Sequence, residues 1–196
     1  SILDLLKISS DKKQGLSTKA IHSGQEPDKS TGAIMVPIYA SSTYVQESPG
    51  IHKGYEYSRT QNPTRTAYEK CIADMESAKY GFAFASGMAA ADTIISLLNV
   101  GDEIIAIDDL YGGTRRLFEK VKKKNNGINF KFIHYNKFFS IDKQITKRTK
   151  MIWVETPTNP MLSLVDLNIL GKISKNIITV VDNTFASPFI QRPLEY

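Results

Sequence analysis

The sequence predicts an α/β protein, with a mostly parallel, doubly wound sheet preceded by an irregular N-terminal arm. Three observations carry this expectation. From Asn62 onward short apolar runs alternate with helix-like stretches, the pattern of parallel strands crossed by helices on both faces. Ser86, Tyr111, Asn159 and Asp182 all fall at or just past the carboxyl ends of those runs, where open α/β sheets bind ligands. Before Asn62 there is no sustained period, only punctuation by Gly24, Pro27, Gly32, Pro37, Pro49, Gly50 and Gly54. The expected division is therefore an arm over residues 1–61 and an α/β domain over 62–196. An arm this irregular does not fill a core alone and is expected to wrap over its own domain or a neighbouring subunit.

Taken in order, Asn62 is a good helix cap and Pro63 suits the first turn, so a helix is expected to about Ser77. Tyr80 to Ala85 reads as a strand, and the small residues from Met88 begin a helix. Glu103–Ile107 is an apolar strand, followed by a helix from about Thr114 to Lys124. Asn129 to His134 is strand-like, and Ser140 to Thr146 forms a short helix. Met151 to Glu155 is a strand, Leu167 to Lys175 a helix, and Ile177 to Asp182 the last strand. There is no internal repeat and no low-complexity tract.

With 196 residues, 41% of them hydrophobic, the chain can bury a full single-domain core. The net charge of +5 raises the question of nucleic acid. Its densest stretch, Lys120 to Lys124, ends a predicted helix, where lysines meet the negative end of the helix dipole and are expected to be solvated. No groove-reading motif accompanies the charge, so nucleic-acid binding is not expected. The single cysteine, Cys71, excludes an internal disulfide framework, fits a reducing compartment and is expected as a small core residue. His22, His52 and His134 lack ligand spacing, so no metal site is expected. No apolar stretch reaches membrane-spanning length, and the opening segment, with Asp4, is unlike a secretory signal. A cytoplasmic enzyme is the expectation.

Asp182 closes the apolar run Ile177–Val181 and is followed by Asn183-Thr184-Phe185. A charged carboxylate there is costly without a partner, and a cationic ring nitrogen is one partner that would offset the cost. Ser86-Gly87-Met88 falls at a predicted strand-to-helix junction, where free N–H groups and the helix dipole favour an anion. Taken alone, it reads more readily as an ordinary strand-to-helix turn containing a glycine. Tyr57 and Arg59 lie in the arm; an arginine fork and a phenol suit phosphate oxygens, although a surface loop arginine has the same look. Tyr111, before Gly112-Gly113, can stack on a flat cofactor or be a plain loop tyrosine. In Glu155-Thr156-Pro157-Thr158-Asn159-Pro160 two prolines stiffen the loop and either hold Asn159 as a fixed amide or only make a rigid turn. Together these residues suggest a pyridoxal phosphate (PLP) site in a cleft at one edge of the sheet.

The same residues lie within an ordered set of motifs. These are Thr18 to Gly24, Pro37 to Thr43, Tyr57-Ser58-Arg59 leading to Asn62-Pro63-Thr64-Arg65, Ser86 to Ala90, Tyr111 to Thr114, Glu155 to Pro160, and Val181 to Pro188. From about Ser17 to Leu194 the chain resembles the cystathionine-handling PLP enzymes of cysteine and methionine metabolism: cystathionine γ-lyase, cystathionine γ-synthase, methionine γ-lyase and their relatives. The resemblance implies the large domain of fold-type I PLP-dependent transferases and a homotetramer built of catalytic dimers. It implies that Asp182 pairs with the pyridine nitrogen and that Gly87 and Met88, at the helix opened by Ser86, cradle the phosphate. It implies that Tyr57 and Arg59 reach the phosphate of the neighbouring subunit's cofactor. By the same resemblance Tyr111 is expected to stack on the ring and assist proton transfer, Asn159 to sit near the phenolic oxygen and the substrate carboxylate, and Thr184 to support the ring. The implied activity is a γ-elimination on cystathionine-like substrates, with γ-replacement on an activated homoserine ester as the alternative.

The chain departs from that pattern in one respect. Family members continue past Arg192-Pro193-Leu194-Glu195 into a Ser-x-Thr-Lys segment, whose lysine holds the cofactor aldehyde, and then into a smaller domain. The expectation is therefore an N-terminal half, inactive by itself, with a non-catalytic PLP-binding or assembly role as a rival. A nucleotide-binding domain rests on Ser86-Gly87 alone and lacks a G-x-G-x-x-G fingerprint.

Overall fold

The computed structural model describes residues 14–196, so the opening segment read against a secretory signal lies outside the described residues. Two compact units divide between Ala83 and Phe84. The break thus falls later than the change in sequence character at Asn62, and the helix opened by Asn62 goes with the first unit.

The first unit contains an element the glycine and proline punctuation conceals, helix α1 (Leu16–His22). It is tied to helix α2 (Pro63–Met75) by Lys19 Nζ, 2.9 Å from Asp74 Oδ1, and by the Ser23 hydroxyl, which also donates to Asp74. Between them lies a short antiparallel ribbon of β1 (Gln46–Ser48) and β2 (Ile51–His52). Asn62 caps α2 as expected, its Oδ1 accepting from Thr64 N at 2.9 Å, while its amide donates to Tyr39 O at 2.9 Å. One side chain thus satisfies a helix end and fixes the preceding loop. Among the described residues of this unit the buried apolar ones are Ala67 and Ala73; Cys71 is half-buried rather than in the core.

Tyr80 to Ala85 is not a strand. The segment is extended and alternates exposed with half-buried residues, but among the described residues no strand pairs with it. A helix carboxylate takes the place of a ladder partner. Ala83 N donates to Glu69 Oε1 at 2.9 Å, and Gly81 lies so close to α2 that a Cβ there would be 2.2 Å from Glu69 O.

The second unit holds four parallel strands: β3 (Glu103–Ile107), β4 (Asn129–Ile133), β5 (Thr149–Glu155) and β6 (Ile178–Asp182), in the order β4-β3-β5-β6. This is the parallel sheet the alternation predicts. The central strands read as continuous apolar runs because both faces are covered; every residue of β3 is buried. On one face Phe118 is fully buried, stacked on Phe130 with centroids 4.7 Å apart and edge-on to Trp153 at 5.4 Å. The alternate residues Ile105, Ile107, Ile152 and Val154 are equally buried, in one core with Phe138, Ile141 and Val165.

Helix α3 (Gly87–Ile95) adds Ala91 and Ile95 to that core. The helix expected after Tyr111 begins as α4 (Gly112–Arg116), widens to a π-helical stretch over Leu117–Lys122, and ends as α5 (Lys123–Asn126). Gly127 closes it at φ +63°, a left-handed conformation that suits glycine. In the basic run, Lys122 is buried, not solvated: its Nζ lies 2.8 Å from Asp92 Oδ1 and 3.1 Å from Ser96 Oγ, joining this helix to α3. The helices expected at Ser140 and Leu167 are 3-10 turns over Tyr135–Gln144 and Leu167–Lys172. No helix among the described residues is long and apolar enough to cross a membrane.

Candidate cofactor-binding site

At the carboxyl edge of the sheet, β5 and β6 end side by side on two carboxylates, Glu155 and Asp182, paired in register. Being opposite one another in a parallel ladder, they lie on the same face. The loop after β3 brings Tyr111 to the same edge, and α3 starts there at Gly87. Together they bound a cleft of about 550 Å³. Its lining includes Ser86, Gly87, Met88, Tyr111, Asn159, Asp182 and Thr184. Seven of the nine candidates from the sequence thus meet in one place. Tyr57 and Arg59 belong to the first unit, where both are exposed and the Arg59 guanidinium lies 5.2 Å from the Tyr57 ring centroid.

Each side chain is held by local chemistry. Ser86 caps α3, its Oγ accepting from Ala89 N at 3.1 Å. The N–H groups of Gly87 and Met88 precede the first intrahelical donor, Ala90 N, which bonds Ser86 O, and are open for an anion. A Cβ on Gly87 would meet nothing within 4 Å, so the backbone there borders open space. Thr184 donates both its N–H and its hydroxyl to Asp182 Oδ1. Among the described residues Oδ2 has no partner and is available to the cleft.

Tyr111 is 46% exposed, so a face of its ring is free. Gly113 makes room for that ring: a Cβ there would lie 2.5 Å from Tyr111 Cε1 and 3.1 Å from Met88 Sδ. The loop after β5 is fixed by its threonines as well as its prolines. Thr156 and Thr158 are buried, Thr156 Oγ1 accepting from Val165 N at 3.1 Å and Thr158 Oγ1 from Ser163 N at 2.8 Å. Thr158 also donates to Asp109.

Among the lining residues given no role in the sequence reading, Glu155 and Trp153 stand out as buried side chains with polar atoms. Glu155 is 4% exposed and accepts from Tyr111 N at 2.9 Å and Asn159 N at 2.8 Å. Burial raises its pKa, the two N–H bonds oppose that, and the charges of Asp182 and Asp109 add to the rise. The signal that could have found it is the one that marks Asp182, a carboxylate ending an apolar strand. Trp153 is buried on the same strand, its indole N–H without a hydrogen-bond partner. Among the described residues no cluster of His, Cys, Asp or Glu could hold a metal ion.

Residues 17–196 match the Cys/Met metabolism PLP-dependent enzyme family. The chain belongs to this family. A cystathionine β-lyase of Coxiella burnetii is 56% identical over 187 residues, covering 94% of this chain and 48% of the relative. A probable cystathionine γ-synthase of Herpetosiphon aurantiacus is 48% identical, covering 92% and 57%. The crystal structure of cystathionine γ-lyase from Lactobacillus plantarum complexed with L-serine is 44% identical with a TM-score of 0.88, covering 93% of this chain and 48% of that one. The chain therefore spans about half the length of the relatives it matches. The likeness in structure bears out the fold-type I α/β architecture expected from the motifs.

The cofactor of this family is PLP, and the cleft fits it. A volume of 550 Å³ suits a molecule of that size. Unspent N–H groups at a helix start match a phosphate, an unpaired carboxylate oxygen matches a protonated ring nitrogen, and an open aromatic face matches a flat ring.

Proposed function

We propose that the protein binds PLP in this cleft and takes part in cleaving the carbon–sulfur bond of cystathionine-like amino acids by γ-elimination. The observation that carries the reading is the meeting of Asp182, Tyr111 and the start of α3 at one carboxyl edge of a parallel sheet.

When bound, PLP supplies an electron sink for charge developing at the substrate α-carbon. Asp182 holds the ring nitrogen in its protonated form through Oδ2, with Thr184 orienting the carboxylate from the other oxygen. Gly87 and Met88 donate N–H groups to the phosphate, and Ser86 keeps the helix start in place. Tyr111 stacks on the ring and places its hydroxyl where a proton must move. Asn159 offers its amide to the phenolic oxygen and to the substrate carboxylate. Tyr57 and Arg59 serve the phosphate of a second copy's cofactor, in a homotetramer made of two dimers. Exposed Ile34, Met35, Ile38 and Val45 in the same unit support burial of this segment against another copy.

The relatives' names support two further reactions, β-elimination and γ-replacement. Product analysis with the PLP-loaded protein separates them. From cystathionine, γ-elimination releases cysteine, 2-oxobutanoate and ammonia; β-elimination releases homocysteine, pyruvate and ammonia. Formation of cystathionine from cysteine and an activated homoserine ester is γ-replacement. PLP binding with no product from either mixture supports the non-catalytic rival.

A further inference from the structure

Glu155 is the one buried carboxyl group at the cleft that the reading above leaves without a task. It makes no ion pair with a lysine, arginine or histidine among the described residues. Its two oxygens are divided between two loops: Oε2 accepts from Tyr111 N, in the loop after β3, and Oε1 from Asn159 N, in the loop after β5. Neither donor is served by the strand ladder. A buried carboxyl group is an expensive way to satisfy two amides, which a backbone carbonyl or a hydroxyl could serve. Its geometry does what those cannot: two acceptors in a fixed fork, one for each loop, from a side chain rooted at the end of a central strand.

We propose that Glu155 is a positioning residue for the cofactor, setting Tyr111 and Asn159 at a fixed distance from each other in the cleft. The proposal rests on the reading that PLP occupies this cleft. Glu155 needs no contact with cofactor or substrate; it acts by holding the backbone of the residue that stacks and of the residue that hydrogen-bonds. Gly113 contributes from the other side by giving the Tyr111 ring its space.

Trp153 provides the reporter. It is the only tryptophan in the chain and lines the same cleft, so its emission reads PLP occupancy without any turnover. The experiment is a titration of cofactor-free protein with PLP, following tryptophan emission and the induced circular dichroism of the PLP band, for wild type, Glu155→Gln, Tyr111→Ala and the double variant. A glutamine keeps the shape but turns an NH2 toward one of the two N–H donors. Expected are saturable quenching in wild type, about tenfold weaker binding with an altered dichroic band in Glu155→Gln, and a smaller added loss when that change is made in Tyr111→Ala, where only the Asn159 loop is left to position.

Equal affinity and an unchanged band in Glu155→Gln, or full additivity in the double variant, would overturn the positioning role. Absence of quenching in wild type would instead overturn the PLP reading itself. If Glu155→Gln does not fold, Glu155→Asp carries the same test, because it keeps the carboxyl group but is a methylene too short to span both donors.

Discussion

Glu155 and Asp182 stand opposite one another at the ends of adjacent parallel strands, two carboxylates on one face of the sheet. Their surroundings divide them. Glu155 is buried and turned into the protein, with both oxygens occupied by backbone N–H groups. Asp182 is half-buried and keeps one oxygen for the cleft. Position in the ladder makes them neighbours; the loops that follow each strand give them different work.

Asp182→Ala removes the one carboxylate oxygen that, among the described residues, the cleft leaves free for a ring nitrogen. Turnover of the complete PLP-loaded enzyme is expected to fall on the order of 100-fold or more, as when a preorganised electrostatic partner is deleted. Steady-state kinetics on cystathionine checks this, and near-normal turnover would exclude Asp182 from the site.

Gly113→Ala is expected to displace the Tyr111 ring, because the new methyl group meets Cε1 at 2.5 Å. PLP binding measured by Trp153 quenching is expected to weaken several-fold. Unchanged affinity would mean that the ring does not stack on the cofactor.

Arg59→Ala is expected to weaken PLP retention about tenfold through loss of a charge-assisted phosphate bond. In mixed oligomers of variant and wild-type subunits the defect is expected in the site of the partner. A defect confined to the mutated subunit contradicts the crossing arm.

The raised pKa of Glu155 sets a sign for stability against pH. Burial is its first cause, so the folded protein keeps this proton to a higher pH than the unfolded chain. From the ordinary glutamate value of 4.5 up to the raised value, the folded state binds more protons, and this group's contribution to stability falls as pH rises. Glu155→Gln is expected to flatten that part of the curve, measured by denaturant unfolding at a series of pH values. An unaltered slope would mean that the carboxyl group titrates normally.

Asn62→Ala is expected to cost about 1 kcal/mol through loss of the α2 cap. Thermal unfolding measures it, and an unchanged Tm would show that the cap carries no net stability.

The parallel sheet is legible because its central strands are buried on both faces and so read as unbroken apolar runs, as in Ile104–Ile107 and Met151–Val154. The α2 start is legible because capping is local: Asn62 and Pro63 specify it within a few residues. Tyr80–Ala85 misleads because alternation reports side-chain direction, not the presence of a neighbouring strand; Glu69 supplies the hydrogen bond instead. Lys122 looks like its solvated neighbours because its partners Asp92 and Ser96 are about thirty residues away. At the site, Asp182 stands out by ending an apolar run. Glu155 ends one too, but its task is visible only once the loops carrying Tyr111 and Asn159 are folded against it.

The central claim is that one cleft in the second unit holds PLP, and a crystal structure of the protein with PLP tests it most directly. The expected result places the phosphate at Gly87 and Met88, the ring against Tyr111, and the ring nitrogen within hydrogen-bond distance of Asp182 Oδ2. PLP bound elsewhere, or in this cleft with its nitrogen turned away from Asp182, would contradict the account.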